Sequence, residues 1–290
     1  MKTQLTLPSP AKLNLFLHIN GRLPNGYHEL QTLFHFLDYG DELSFALQEN
    51  DSIDLTCNIK ELEDKDNLII KAINALKRYL DDDFPYRGLK IHLHKVLPMG
   101  GGVGGGSSNA ATTLLALNVL WQLNLPQQQL IDIGNKLGAD VPIFIKGQSA
   151  IAEGTGEIFT PYQVPEKYYL VLTPSTHVNT ALLFSSEDLP RNTAKLDNDS
   201  IVYQGITPDF CNDFETLVYK RYPAVAKALD WLLEYAPARM TGTGACVFAE
   251  FENEKQAQEV YNLLPVELSG FVAKGSNISS THLKLNELIR

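Results

Sequence analysis

Cysteine is scarce in this chain and poorly placed for either of its usual structural roles. Only Cys57, Cys211 and Cys246 occur in 290 residues. Their odd number, wide separation and lack of a CxxC pair exclude a disulfide framework and a cysteine-rich metal site, and fit reduced thiols in a cytosol. Positive charge is also short: 24 Lys and Arg stand against 34 Asp and Glu, a formal net charge of −10. A negative surface repels phosphate backbones and anionic lipid, so neither nucleic acid nor membrane is expected as a partner. The Met1–Pro8 segment lacks the apolar stretch and small-residue cleavage site of a signal peptide, and a cytoplasmic protein is expected. Internal repeats and low-complexity tracts are absent. One stretch, 96–131, lacks charge altogether. Its six glycines and many Ser, Asn and Gln residues would leave backbone groups unpaired in lipid, so its neutrality needs another reason than membrane insertion.

What is present is an ordinary globular mixture, 44% apolar and 20% charged. At this length such a chain buries roughly three quarters of its unfolded surface, and two core-forming lobes are expected. Lys12 to Ile19 alternates, with Leu13, Leu15, Leu17 and Ile19 on one face and Lys12, Asn14, Phe16 and His18 on the other, which predicts a strand. A turn at 23–28 leads to a half-apolar run ending at Asp38, and a further strand is predicted at Leu43, Phe45 and Leu47. The pattern then predicts a helix over 67–80, a strand over 89–94 and an almost entirely apolar, buried helix over 109–124. Beyond a proline-containing connection at 160–167, the proposed lobe boundary, come a strand at 168–173, a helix at 213–235, a glycine turn feeding a strand within 239–251, a helix at 254–264 and an extended segment at 270–274. Helices on one face of an antiparallel sheet suit that order. The polar segment 191–198 reads as an exposed loop.

The glycine-rich run Lys95-Val-Leu-Pro-Met-Gly100-Gly-Gly-Val-Gly-Gly-Gly-Ser107-Ser108-Asn109 carries the strongest chemical signal. Six glycines in seven positions let backbone N–H groups approach a ligand closely, the serines can cap the next helix, and the helix N-terminus adds partial positive charge. With no carboxylate from 96 to 131, an oligophosphate fits. A flexible linker would not be clamped between a strand and a buried helix. The loop is not a Walker A loop, because no lysine precedes its serines. Gly100, Gly102 and Gly105 match GxGxxG, but Leu125-Pro126-Gln127 stands where a dinucleotide site wants an acid. The HRD and DFG motifs of protein kinases do not occur. Asp140 stands just before the stiffening Val141-Pro142, which could hold a carboxylate still, but alone it reads as a turn aspartate, as Lys12 alone reads as a solvated strand lysine.

Pro98-x-Gly100 through Ser107-Ser108 resembles the ATP loop of the GHMP kinases, the superfamily of galactokinase, homoserine kinase and mevalonate kinase. Ser9-Pro-Ala-Lys12-Leu-Asn14-Leu resembles the first motif of that superfamily, and Met240-Thr-Gly242-Thr-Gly244-Ala-Cys246 its third. Together with Asn25-Gly26-Tyr27-His28, Gly138-Ala-Asp140-Val-Pro142 and Ala152-Glu-Gly-Thr-Gly156, the set is similar to the 4-diphosphocytidyl-2-C-methyl-D-erythritol kinases of the non-mevalonate isoprenoid route. Many relatives have Asp where this chain has Asn109, and Ser where it has Thr241 and Thr243.

The resemblance implies a two-lobed α+β GHMP kinase fold, with an N-terminal ATP-loop lobe over 1–162 and a C-terminal ferredoxin-like α+β lobe over 163–290. It implies transfer of the γ-phosphoryl group of ATP, carried with Mg²⁺, to the 2-hydroxyl of a cytidine diphosphate-linked polyol, by a monomer or weak homodimer. Asp140 would accept the hydroxyl proton and Lys12 would stabilise the forming alkoxide. ATP would lie on Pro98, Met99, Gly100, Gly101, Gly102, Val103, Gly104, Gly105, Gly106, Ser107 and Ser108, with Lys95 and Asn67 near the adenosine. The substrate would meet Asn14, Tyr27, His28, Phe34, Thr180 and Phe184, with Tyr27 and Phe184 stacking on the cytosine and His28 at its edge. No protein-bound metal is assigned, since His35, His92, His94 and His177 have no ligand spacing. Three rival readings are a GHMP kinase acting on mevalonate, homoserine or a sugar, a nucleotide-binding regulator without turnover, and NAD-dependent redox chemistry. Tyr27, His28 and Phe184 oppose the first, and Lys12 with Asp140 opposes the second.

Overall fold

The computed structural model describes residues 2–24, 26–80, 84 and 86–289; Met1 and Asn25, which enter two of the expectations above, lie outside the described residues. Two long antiparallel strands, β1 (Gln4–Arg22) and β2 (His28–Leu47), form the spine. The half-apolar run to Asp38 and the strand expected after it are one strand, because β2 serves different partners along its length: β5 (Ala150–Gly154) near its start, β10 (Gly270–Ser276) in the middle and β4 (Leu89–His94) near its end. Gly40 permits the crossing, since a Cβ there would lie 2.3 Å from the Ser9 carbonyl oxygen.

The expected alternation in β1 breaks at a register shift between Asn14 and Leu17. Such a bulge re-aims the side chains after it. Phe16 therefore joins Leu13 and Leu15 in one core, while Leu17 and Ile19 enter another.

Strand β3 (Ile53–Cys57) runs parallel to β4, and helices α1 (Leu68–Lys77), α2 (Gly105–Leu120), α3 (Gln127–Asn135) and α4 (Val141–Lys146) cover the β2–β4 region around a core that includes Phe36, Phe45, Leu114 and Ile143. Helix α2 starts four residues before the expected Asn109 and ends before Asn124, where Gln122 and Asn124 take left-handed φ of 55° and 52°. Strand β6 (Ile158–Pro161) pairs β5 and leads into β7 (Tyr168–Leu172).

After α5 (Thr180–Phe184) the expected 213–235 helix is two, α6 (Glu215–Arg221) and α7 (Pro223–Leu233). Pro223 excludes helical geometry at the residue before it, and Tyr222 has φ −125° and ψ 88°. Strands β8 (Ala238–Met240) and β9 (Val247–Phe251), helix α8 (Glu254–Tyr261) and β10 follow; β10, β7, β9 and β8 pair in that order, all antiparallel. The last helix, α9 (Ser280–Ile289), returns to β1, where Thr281 Oγ1 donates to the Pro8 carbonyl at 2.8 Å and Leu285 enters the core beneath α2. No helix among the described residues is long and apolar enough to cross a membrane.

Candidate active site

The glycine loop between β4 and α2 is held from two sides. From β1 the Lys12 amide donates to the Val103 carbonyl, and from the β8–β9 turn the Cys246 amide donates to the Gly101 carbonyl, both at 3.0 Å. At the junction Gly102 has φ +79°, and a Cβ there would lie 2.3 Å from the Thr241 carbonyl oxygen, so glycine alone lets the turn close on the loop. The Thr241 hydroxyl accepts from the Asn14 amide at 2.9 Å and lies 3.5 Å from the Gly102 oxygen, a role that needs the hydroxyl and tolerates the extra methyl.

Helix α2 begins at Gly105, with Gly104 as its N-cap at φ +75° and no side chain capping it. The serines do not take the capping role expected of them: Ser108 is buried and accepts from the Ser9 hydroxyl at 2.9 Å. The first amides of α2 are thus claimed by no side chain, which leaves an electropositive helix end for phosphate oxygens. A side chain at Gly104 would collide with the Phe144 ring at 2.8 Å, and one at Gly105 with the Lys95 ammonium at 2.8 Å. His177 comes against the loop tip, 2.8 Å from where a Cβ on Gly100 would stand.

Lys12, which reads alone as a solvated strand lysine, is 1% exposed. Its ammonium donates to Asn14 Oδ1 at 2.5 Å and to the Gly102 carbonyl at 3.0 Å, and pairs by charge with Asp140 Oδ2 at 3.2 Å. It also stands 5.3 Å from the centre of the Phe34 ring, a buried cation–π contact. Phe34 therefore lies beneath the lysine. Asp140 is the N-cap residue of α4, and its side chain is 35% exposed. The charge pair is closed on the lysine side and open on the carboxylate side.

Next to Asp140, Ala139 lines a cavity of about 750 Å³ that also meets Tyr27, His28, Gly156, Ala181 and Phe184. The expected aromatic residues thus share one cavity. The His28 and Phe184 rings lie 4.9 Å apart at 31°, and Phe214 stands edge-on behind Phe184 at 4.9 Å. Burial, then the charges of Arg191 and Arg22, hold the His28 pKa below its usual value. Thr180 bonds Thr243 hydroxyl to hydroxyl at 2.8 Å, joining α5 to the glycine turn.

Lys95 and Asn67 have their polar atoms committed inside the protein. The Lys95 ammonium lies 2.5 Å from Asp41 Oδ2; the same carboxylate accepts from the Asn109 amide at 2.9 Å and from the backbone of Val96 and Leu97 at 2.8 and 2.9 Å. An aspartate in place of Asn109 would confront Asp41, which accounts for the amide in this chain. Asn67 caps α1, accepting from the Ile69 amide at 2.9 Å and donating to the Leu62 carbonyl at 2.8 Å. Among the described residues no group of three His, Cys, Asp or Glu could hold a metal ion.

Two participants escape sequence reasoning. Asp41 has no motif around it. Arg191 falls in the segment read as an exposed loop, yet it donates to His28 Nε2 at 3.0 Å and to three backbone carbonyls. Gln31 likewise ties Leu196 and Asn198 down. That segment is therefore anchored by its polar side chains and by the backbone groups they reach.

Comparison with known proteins agrees with this geometry. Residues 67–148 match the model for the GHMP kinases N terminal domain, and residues 203–265 that for the GHMP kinases C terminal. The chain is 52% identical to the 4-diphosphocytidyl-2-C-methyl-D-erythritol kinase of Marinobacter nauticus, with 99% of this chain and 100% of that protein covered. It is 54% identical to that of Shewanella woodyi at the same coverage. A crystal structure of 4-(cytidine 5'-diphospho)-2C-methyl-D-erythritol kinase superposes with a TM-score of 0.80 at 27% identity, covering 94% of this chain and 99% of that one. Mevalonate kinase shares the fold, at a TM-score of 0.64 and 18% identity over 95% of this chain and 99% of that one. With a full-length likeness above half identity added to a closed glycine loop and a lysine–aspartate pair beside an aromatic cavity, the chain belongs to the GHMP kinases, in the family of 4-diphosphocytidyl-2-C-methyl-D-erythritol kinases.

Proposed function

We propose that this small-molecule kinase transfers the γ-phosphoryl group of ATP to the 2-hydroxyl of 4-diphosphocytidyl-2-C-methyl-D-erythritol, giving the 2-phosphate and ADP, in the supply of isoprenoid precursors. The observation that carries the reading is the position of the Lys12–Asp140 pair: its ammonium is bonded to Gly102 of the loop, and its carboxylate, 35% exposed, belongs to the residue after Ala139, which lines the aromatic cavity. A polyol anchored in the cavity by its cytosine would present a hydroxyl to Asp140, while a triphosphate on the loop would present its last phosphorus from the other side. As the hydroxyl oxygen bonds to phosphorus and the bond to the leaving ADP oxygen breaks, the proton passes to Asp140 and from there to solvent. Lys12, held by Asn14 and Gly102 and paired by charge with Asp140 before substrate arrives, keeps an N–H for the reacting oxygen and needs little reorganisation to stabilise its developing charge.

ATP lies on Pro98 to Ser108 with its phosphates toward the uncapped end of α2. Lys95 and Asn67 shape the adenosine side from behind, Lys95 by holding the start of the loop through Asp41 and Asn67 by capping α1. Asn14 and Phe34 hold Lys12, Thr180 holds the α5 wall, and Tyr27, Phe184 and His28 take the base. Mg²⁺ enters with ATP, most of its ligands being phosphate oxygens and water, and offsets charge on the transferring group. The lobes divide near 162, with the site in the cleft between them, and the enzyme works as a cytoplasmic monomer or weak homodimer.

A coupled ADP-release assay over a panel of cytidine-linked substrate, bare methylerythritol phosphate, mevalonate, homoserine and galactose tests the reading. Turnover confined to the cytidine-linked compound is expected. Preference for another acceptor, or ADP release with none of them, would overturn it.

A further inference from the structure

We propose that Arg191 is a positioning residue of the base slot: by donating to His28 Nε2 it holds the ring as the Nδ1–H tautomer, so that the slot selects a base offering an acceptor over one offering an N–H. The inference rests on the cytidine reading above and adds to it the group that decides how His28 reads a base.

The chemistry of the contact fixes the proton. A guanidinium has only donors and stays charged, so the nitrogen it meets at 3.0 Å must present a lone pair. A neutral imidazole with its lone pair on Nε2 carries its hydrogen on Nδ1. Protonating both nitrogens would turn an N–H against the guanidinium, in line with the lowered pKa of His28. The two bases share a carbonyl at O2 and differ at N3, where cytosine offers a lone pair and uracil an N–H. A fixed Nδ1–H directed at N3 can donate to cytosine and meets uracil donor to donor.

Arg191 also places the rings. Its Nη1 donates to the Leu189 carbonyl at 2.9 Å, and its Nη2 to the carbonyls of Phe184 at 2.9 Å and Ser186 at 2.7 Å. One planar fork thus joins the reading ring on β2 to the wall ring on α5, and uses four of its five N–H bonds to do so. A lysine, with three donors on one atom, cannot span those acceptors.

The test combines nitrogen-15 NMR of the His28 ring in the full-length parent with kinetics of Arg191→Gln and Arg191→Lys, each alone and with His28→Ala. The parent should show His28 as Nδ1–H. Both Arg191 variants should lose that single tautomer and raise KM for the cytidine substrate about tenfold, with kcat changed less than about threefold and KM for ATP within about twofold. The cytidine-to-uridine ratio of kcat/KM should fall about tenfold or more, and adding Arg191→Gln to His28→Ala should lower the ratio no further. An Nε2–H tautomer in the parent would overturn the proposal even if the variants fail to fold. So would an equal loss on both bases, or losses that multiply in the double variant, since those belong to a residue that only supports the loop. The tautomer is read without substrate, so it judges Arg191 even if the parent phosphorylates neither nucleotide, an outcome that would overturn the cytidine reading alone.

Discussion

Two buried lysines flank the same glycine loop, each beside an aspartate, and they are built for different ends. Lys95 and Asp41 are sealed, with side chains 4% and 0% exposed, and Asp41 takes four donors, from Lys95, Asn109 and two backbone amides. Lys12 is as deeply buried at 2%, but its partner Asp140 is 35% exposed and directly follows Ala139, which lines the aromatic cavity. Removing the lysine of the sealed pair leaves Asp41 with neutral donors and no cation, a buried charge that water does not reach. Removing the open carboxylate leaves the lysine still bonded to Asn14 and Gly102. A sealed pair sets the shape of the loop, whereas an open pair can exchange a proton with what enters.

Asp140→Asn breaks the comparison at its chemical end. It keeps the shape and removes the proton acceptor, so kcat should fall by about 10²-fold to 10⁴-fold while ATP affinity and the urea midpoint stay near those of the parent. Lys12→Met should show a loss of similar size in kcat. Turnover within a few-fold of the parent for Asp140→Asn would remove it as the base.

Lys95→Met breaks the other end. With the Asp41 carboxylate left buried without its cation, the protein should lose about 3 to 5 kcal/mol of stability in urea titration. An unchanged midpoint with a raised KM for ATP would make Lys95 a ligand of the nucleotide instead.

The difference in access sharpens further at Tyr27, which is 67% exposed on the cavity rim. Stacking on an aromatic ring is worth about 1 to 3 kcal/mol per base in single-strand nucleic-acid sites. Tyr27→Ala should therefore raise KM for the cytidine substrate roughly fivefold to a hundredfold and leave KM for ATP and the folding midpoint alone. Equal rises in both KM values would place Tyr27 outside the base slot.

A last contrast is a buried titratable group with no counter-charge among the described residues. His35 bonds Ser149 Oγ at 2.9 Å, finds no partner for Nε2 among them, and burial pushes its pKa down to about 3. The unfolded chain binds a proton at this position below pH 6.5 and the folded one does not until about pH 3. Stability is therefore fully present above pH 6.5 and is lost as pH falls toward 3, with a slope of up to about 1.4 kcal/mol per pH unit from this residue. His35→Gln should flatten that slope in urea titrations between pH 4 and 7 by about one proton's worth. An unaltered slope would assign the pH dependence to other buried histidines.

Much of this was legible along the chain. The strand–glycine loop–helix unit follows from local pattern, while the pairing of Lys12 with Asp140 and the sharing of one cavity by Tyr27, His28 and Phe184 are expected only through the family resemblance. Spacing alone misread the environment of several residues. Lys12 looks solvated because alternation in β1 suggests one wet face, and packing covers both. The 213–235 period carries straight through Tyr222, where Pro223 breaks the helix. The serines of the loop look like helix caps, but Ser108 is drawn away by Ser9, nearly 100 positions earlier in the chain.

The sequence by itself determined where phosphate can approach, since glycine's freedom, a charge-free run and a helix start are local properties of 96–131. Tertiary structure decided which charges are open and which are sealed. Asp41 meets Lys95 and Asn109, and Arg191 meets His28, only because β2 carries Asp41 and His28 to partners far along the chain. Burial, pairing and the proton position on His28 depend on the neighbours a side chain acquires in space, and no local pattern encodes those neighbours.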